Sequence, residues 1–162
     1  MIFRAIATCS ALEVASLPLP AHAGPGVLPD RNSSLPACTE LTKFAAGAAS
    51  QKYGQGLAEQ QEIMGALADC AIEVYALESC LLRAGKMRRA KQAIAMTQYY
   101  AVKSLQIVEL AARKVIAAVA EGDMLRTQMA ILRRLAKYQP ADTVAVGRQI
   151  ARHVIAAGRY AL

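Results

Sequence analysis

The sequence predicts an all-α protein, an antiparallel bundle of four to five helices behind a disordered or loosely packed N-terminal leader. The composition favours helices: 55% of the 162 residues are hydrophobic, tryptophan is absent, and there are only two phenylalanines. Chains poor in aromatic residues and rich in alanine favour close-packed helices over sheets. Apolar side chains recur at alternating spacings of three and four residues, and no stretch alternates with the period of two that is typical of strands. We expect residues 37–162 to form the bundle and residues 1–36 to form a leader and linker.

Residues 1–23 are similar in pattern to a secretory signal peptide, with a basic residue, an apolar run and Ala-His-Ala at residues 21–23 as a cleavage site. Glu13 and two prolines interrupt that run, which is also too short to span a bilayer. We favour the competing interpretation, an unstructured leader or a start codon misplaced on a fragmentary reading frame, and a cleaved export signal stays open as the alternative. Residues 24–37 are rich in Gly, Pro, Ser and Asn and predict a linker.

The first two helices are expected over residues 38–53, ending at Gly54 and Gly56, and over residues 57–85, ending at Gly85. The apolar seam of the second helix has four- and three-residue spacings typical of a bundle: Ile63, Leu67, Cys70, Val74, Leu77 and Leu81. Four residues are expected to widen this seam on one side: Met64, Ala71, Tyr75 and Leu82. The opposite edge is acidic: Glu59, Glu62, Asp69 and Glu73.

The third helix is expected over residues 87–120, with Gln98 among its seam positions and Gly122 as its stop. The apolar members of its seam are Ile94, Ala101, Leu105, Val108, Ala112, Val115 and Val119. Asp123 is expected to cap a fourth helix over residues 124–137.

The fourth helix has an apolar face and a basic C-terminal end, where cations complement the helix dipole. The apolar face consists of Leu125, Met129, Leu132 and Ala136. The basic end consists of Arg133, Arg134 and Lys137. Pro140 prevents continuation, and Asp142 is expected to cap a last helix that ends near Ala157. Val146, Ile150 and Val154 lie in line on that helix.

The net charge of +7 is concentrated in the second half of the chain. Residues 37–85 carry three basic and six acidic side chains, whereas residues 86–122 and 123–162 each carry seven basic and two acidic ones. One interpretation is mutual neutralisation of helices within the bundle. The other is contact with an anionic surface, such as lipid head groups or a phosphate-bearing ligand.

The four cysteines form no CxxC pair and no recognisable zinc site with the two histidines. Cys70 and Cys80 stand ten residues apart on one predicted helix, about 15 Å along its axis, so they cannot bond to each other. Buried free thiols are the expected state, which suits a reducing compartment.

No nucleotide-binding or hydrolase motif occurs. His153 is expected on the polar edge of a surface helix, and at least one of Tyr99 and Tyr100 is expected inside the bundle, because neighbouring helical residues point about 100° apart. The basic run at residues 86–91 lacks interleaved aromatic residues, so we expect no nucleic-acid partner.

Glu78 is the residue that most invites a catalytic interpretation, because helical periodicity places it between two apolar rows. No second acid or base accompanies it on that face. We therefore expect a buried or interfacial ion pair, with Arg83, Arg113 or another subunit as the partner.

The segment "LAEQQEIMGALADCAIEVYALESCLLRAGK" (residues 57–86) resembles the appended C-terminal helical region of acyl-CoA dehydrogenases of the very-long-chain type. The resemblance continues in "KFAAGAASQKYGQGLAEQQ" before it and "TQYYAVKSLQIVELAARKVIAAVAEGDMLRTQMAILRRLAKYQP" after it. It begins near residue 24 and extends to the C-terminus.

This resemblance implies a non-catalytic domain, expected as a fragment of a FAD-dependent fatty-acyl-CoA dehydrogenase, that supports dimer or membrane association. The family's base glutamate lies near a Glu-Gly-Thr sequence, which is absent here, as are the FAD-binding segments. We therefore assign no catalytic, cofactor-binding or metal residue, and no cofactor of this chain's own.

The implied partners are dehydrogenase catalytic domains, a second copy of the chain or an anionic membrane surface. The implied location is cytoplasmic, peripheral to the inner membrane. The alternative is a free-standing helical bundle that is exported or serves interactions, and an enzyme with Glu78 as its acid is the third hypothesis.

Overall fold

The computed structural model describes residues 34–87, 90–138 and 141–159, and within these ranges it contains five packed α-helices and no strand. The helices are α1 (Ser34–Tyr53), α2 (Gln61–Lys86), α3 (Lys91–Val119), α4 (Gly122–Leu135) and α5 (Thr143–Ala157), with a 3₁₀ helix at Gly54–Glu59. The predicted all-α class is confirmed. The predictions for residues 1–33 lie outside the described residues.

Two predicted boundaries near the start of the bundle are wrong. Helix α1 begins at Ser34, inside the predicted linker, and α2 begins at Gln61 rather than residue 57. Residues 54–59 form a tight 3₁₀ turn instead, which starts at Gly54 with a φ of +52°, a backbone conformation that favours glycine. This turn reverses the chain so that α2 can return along α1.

The two predicted caps have different outcomes. Asp142 caps α5 as expected, because its side chain accepts a hydrogen bond from the backbone N–H of Ala145 at 2.9 Å. Asp123 does not cap α4. The extended residue before that helix is Glu121, Gly122 has a φ of +55°, and the Asp123 carboxylate instead faces Arg126 at 3.4 Å.

Helix α3 is the centre of the bundle, since it packs against each of the other four helices. Its buried seam agrees with the predicted one at Ala101, Leu105, Val108, Ala112 and Val115. Alanines on α1 and α3 allow these helices to approach closely, and burial of each large aliphatic side chain contributes about 1.5–3 kcal/mol. The largest fully buried side chains come from four helices: Leu41, Leu77, Leu105, Ile116 and Leu132.

The buried face of α2 is rotated relative to the prediction. Tyr75 and Leu82 were expected to widen the seam, but they are 69% and 44% exposed. Ala66 and Ala84, on the other side of the seam, are buried instead. The face that meets α1 and α3 therefore extends toward Glu73, which the sequence placed on the acidic outer edge.

Helix α5 packs against α3 at the periphery of the bundle and has no fully buried residue. Gly147 makes this contact close, since a Cβ atom at that position would lie 3.4 Å from the ring of Tyr99. In the part of the chain that the structure describes, no helix combines the length and hydropathy needed to cross a membrane.

Candidate functional site

A carboxylate of α2 joins α2 to α3. Oε2 of Glu73 accepts hydrogen bonds from the hydroxyl of Tyr100 at 2.9 Å and from the hydroxyl of Ser104 at 2.6 Å. Ser104 is fully buried, while Glu73 and Tyr100 are half-buried. One turn further along, the thiol of Cys70 lies 3.9 Å from the carbonyl oxygen of Val108. These contacts fix the antiparallel register of the two helices.

The environment of Tyr100 keeps its phenol neutral. Burial is the main reason that the pKa of Tyr100 is raised above its ordinary value of 10.0, and the neighbouring carboxylate of Glu73 adds to the effect. The hydroxyl therefore remains a hydrogen-bond donor at neutral pH. The arrangement is a structural clasp between two helices, because a neutral phenol and a buried serine have no general base beside them other than the carboxylate that they already bind.

Glu78 is half-exposed, and in the described ranges it takes part in no hydrogen bond or ion pair. The Arg113 that was considered as its partner is bound by Glu109 on its own helix. The pairing of Glu78 with Arg113 is therefore wrong. The sequence pattern singled out Glu78 and missed Glu73, because the two donors to Glu73 lie on another helix, 27 and 31 residues away.

A cavity of about 410 Å³ opens beside the clasp, between the C-terminal part of α2 and the N-terminal half of α3. Its described lining residues are mainly apolar and include the cation Arg83: Cys80, Arg83, Ala84, Met87, Ala93, Met96, Thr97 and Tyr100. No carboxylate is among the lining residues that the structure describes. No sequence pattern indicates this cavity, because its existence depends on which residues of the two helices meet.

The three described cysteines are free, as expected, and two of them are fully buried. Burial raises the pKa of Cys38 to about 12 and that of Cys70 to about 11, from an ordinary 9.0. Both are therefore inert thiols at neutral pH. Cys80 is half-exposed, and burial raises its pKa as well.

The remaining candidate residues lie on the surface or at helix contacts. His153 is exposed on α5, as predicted. Tyr100 packs inside the bundle while Tyr99 is 40% exposed, so the expectation for this pair is confirmed. Of the basic run, Lys86 and Lys91 are exposed, and residues 88–89 are not described. No group of three or more His, Cys, Asp or Glu side chains in the described segments could hold a metal ion.

In the part of the chain that the structure describes, the fold and the site define a helical domain stabilised by packing, with a clasp between two helices and an apolar cavity beside it. The sequence pattern of the family described as acyl-CoA dehydrogenase, C-terminal domain, matches residues 39–134, more than half of the chain. The chain belongs to this family.

Two relatives place this domain within larger proteins. A probable acyl-CoA dehydrogenase of Bacillus subtilis (strain 168) is 31% identical over 148 residues, which cover 88% of this chain and 25% of that protein. The crystal structure of an acyl-CoA dehydrogenase complexed with FAD from Bacillus anthracis is similar with a TM-score of 0.76 and 30% identity, over 79% of this chain and 23% of that one. The chain thus spans about a quarter of the length of these relatives.

Proposed function

We propose that the chain acts as the non-catalytic C-terminal helical domain of a fatty-acyl-CoA dehydrogenase of the very-long-chain type, and packs on FAD-binding catalytic domains. Membership of the family and the coverage of about a quarter of each relative support this role. The flavin in this proposal belongs to the catalytic domains. A cytoplasmic location follows from the same proposal.

An exposed apolar strip on α2 is the observation that carries the proposal. Ile72, Tyr75 and Leu82 are 62%, 69% and 44% exposed and lie on one side of the helix, facing away from α3. We call these three residues the α2 outer strip. It is about 15 Å long at the rise of an α-helix. Large exposed apolar side chains in a row are typical of a protein interface, and tyrosine is enriched in such interfaces.

The proposal is tested with the Bacillus subtilis relative from which the C-terminal quarter matched by this chain has been removed. We expect the full chain to co-elute with this truncated dehydrogenase in gel filtration and not with the intact one, whose own C-terminal domain occupies the surface. Tyr75→Glu should abolish co-elution, because a charge would be buried in the contact. Leu110→Glu is the matched control, since Leu110 is 71% exposed on another helix.

Three results would contradict the proposal: no complex with the truncated dehydrogenase, an equal loss in the Leu110 variant, or undiminished binding by the Tyr75 variant. Analytical ultracentrifugation of the chain alone distinguishes the dimer alternative. A dimer that Tyr75→Glu dissociates would assign the α2 outer strip to a second copy of this chain.

Attachment to an anionic membrane surface is the second candidate, and α5 favours it. The helix contains Arg148 and Arg152 and no acidic residue. Val144 and Ile155, on the same outer side, are 61% and 79% exposed. A helix with basic and apolar side chains on its free face is typical of binding at the membrane–water interface.

Sedimentation with phospholipid vesicles tests this candidate. The vesicles contain about 30% phosphatidylserine, because basic protein segments bind to membranes that carry anionic lipid. We expect the chain to sediment with them and the Arg148→Glu, Arg152→Glu double variant to stay in the supernatant. Vesicles of phosphatidylcholine alone are the control. Equal sedimentation of the double variant would refute attachment through α5.

A further inference from the structure

The cavity between α2 and α3 has the size and lining of a small-molecule site. Its volume of about 410 Å³ lies within the range of roughly 300–1,000 Å³ that is typical of ligand pockets. Ala84 and Ala93 are almost completely buried at its base, and Met87 and Met96 form half-buried walls. Methionine walls adapt to irregular apolar ligands. Small side chains at the base leave the space that a ligand would fill.

The hydroxyl groups in the lining donate their protons within the protein. The Thr97 hydroxyl donates to the carbonyl oxygen of Ala93 at 2.8 Å, and the Tyr100 hydroxyl donates to Glu73 at 2.9 Å. A ligand body rich in hydrogen-bond acceptors, such as a sugar or a nucleobase, would therefore lose its hydration without replacement. The interior of the cavity instead suits a hydrocarbon chain.

The charge at the cavity is positive. Arg83 is the cation among the described lining residues. It is exposed, and it forms no hydrogen bond or ion pair within the described ranges. Lys86 and Lys91, at the same end of the α2–α3 hairpin, are also exposed and form no ion pair with described residues. A guanidinium binds a carboxylate or phosphate through paired, charge-assisted hydrogen bonds. An anionic head group would neutralise this end of the hairpin.

We propose that this cavity binds a monomeric long-chain amphiphile with an anionic head group, with its hydrocarbon chain against Ala84, Ala93 and Met96 and its head at Arg83. The proposal rests on the cavity itself and is independent of the domain's role in a dehydrogenase, because the α2 outer strip and α5 do not line the cavity. Binding would cover apolar surface that is otherwise in contact with water.

Cys80 offers a direct measurement of occupancy, because it lines the cavity and is half-exposed while Cys38 and Cys70 are buried. In the full chain with Cys9→Ser, alkylation by N-ethylmaleimide would be followed by mass spectrometry at fixed pH. The probe is dodecanoate below its micellar concentration, and equilibrium dialysis of labelled dodecanoate gives the affinity. Dodecyltrimethylammonium, with the same chain and the opposite charge, is the matched control ligand.

We expect dodecanoate to slow alkylation of Cys80 by about tenfold or more and dodecyltrimethylammonium to leave it unchanged. Arg83→Ala should weaken dodecanoate binding about tenfold, the effect of losing a charge-assisted hydrogen bond. Arg134→Ala is the matched control variant, since Arg134 is exposed on α4 and does not line the cavity. Met87→Glu, which adds an anion to the wall, should abolish binding.

Equal protection by the two head groups would overturn the proposal, because it would indicate general detergent binding. So would unchanged affinity in Arg83→Ala, or protection by phosphatidylserine vesicles where dodecanoate gives none, which would assign the cavity to a bilayer. The comparison of dodecanoate with dodecyltrimethylammonium uses the unmodified cavity, so it tests the proposal even where a variant fails to fold. Circular dichroism identifies such a variant.

Discussion

Replacement of Glu73 by alanine removes the acceptor of two hydrogen bonds between α2 and α3, and Glu78→Ala is its matched control on the same helix. Glu73 accepts from Tyr100 and Ser104, whereas Glu78 is half-exposed and has no hydrogen-bond or ion-pair partner in the described ranges. The two substitutions delete the same atoms and have the same effect on net charge. The difference between them therefore isolates the clasp.

The magnitude follows from the surroundings of the two donors. Ser104 is completely buried, so its hydroxyl loses a charged acceptor with no access to water, a cost of about 1–3 kcal/mol. The Ser104 hydroxyl offsets part of this cost when it donates a hydrogen bond to the carbonyl oxygen four residues earlier. Tyr100 is half-buried and its hydroxyl can reach water, so its loss is smaller. We expect Glu73→Ala to lower the free energy of unfolding by about 2 kcal/mol, and Glu78→Ala to change it by less than about 0.5 kcal/mol.

Urea unfolding followed by circular dichroism at neutral pH measures both values. Thermal unfolding should give a lower Tm for Glu73→Ala, by roughly 8 °C for a domain of this size. Glu73→Gln, which retains an acceptor, should lie between Glu73→Ala and the unmodified protein. In a double-mutant cycle with Ser104→Ala we expect a coupling energy of about 1 kcal/mol.

Equal destabilisation of the protein by Glu78→Ala and Glu73→Ala would refute a stabilising role of the clasp. A coupling energy near zero between Glu73 and Ser104 would also contradict it, because the two side chains would then contribute independently.

The remaining predictions concern the core and two glycines. Because burial raises the pKa values of Cys38 and Cys70 from 9.0 to about 12 and about 11, their contribution to stability is complete below about pH 9 and is lost progressively as the pH rises from 9 toward these raised values. Urea unfolding should show that the free energy of unfolding falls by an amount on the order of 4 kcal/mol by about pH 11. An equally steep fall in the Cys38→Ala, Cys70→Ala double variant would contradict the assignment of this pH dependence to the two thiols. Gly65→Ala should stabilise the protein by about 1 kcal/mol, since Gly65 lies within α2 and an added Cβ would meet no atom within 4 Å. Gly122→Ala should instead destabilise it by about 1 kcal/mol, because φ is +55° there, and thermal unfolding ranks the two variants. Leu105→Ala should cost about 2–5 kcal/mol in urea unfolding, because Leu105 is 1% exposed, and a loss below about 1 kcal/mol would place it outside the core.

Helix identity and most of the seams could be predicted from the sequence, because the spacing of apolar residues depends only on the period of a helix. The exact orientation of α2 could not. Tyr75 and Leu82 are larger than Ala66 and Ala84 and have more apolar surface to bury, so the sequence pattern placed the buried face of α2 on the wrong side. The observed buried face of α2 is determined by its contacts with α1 and α3, which it meets through small residues. These contacts depend on the tertiary arrangement of the helices.

The candidate site was less predictable than the fold. The Asp142 cap is a local interaction and was predicted correctly, whereas Asp123 failed because the preceding turn through Gly122 moves the start of α4. The clasp of Glu73 requires donors on α3 that are 27 and 31 residues away in sequence. The cavity likewise depends on small residues of two helices, Ala84 and Ala93, that lie at one place only after folding.

The position of α5 has a consequence for how the molecule opens. All four other helices contribute at least one fully buried side chain to the shared core, whereas α5 contributes none and rests on α3 across the Gly147–Tyr99 contact. Such a helix can detach while the rest of the fold persists, as a separate cooperative unit. Its amide protons would exchange with solvent through that partial opening, well before those of α3, and a protease would cut there first. Detachment would also free the ring of Tyr99 and the underlying surface of α3 for another molecule.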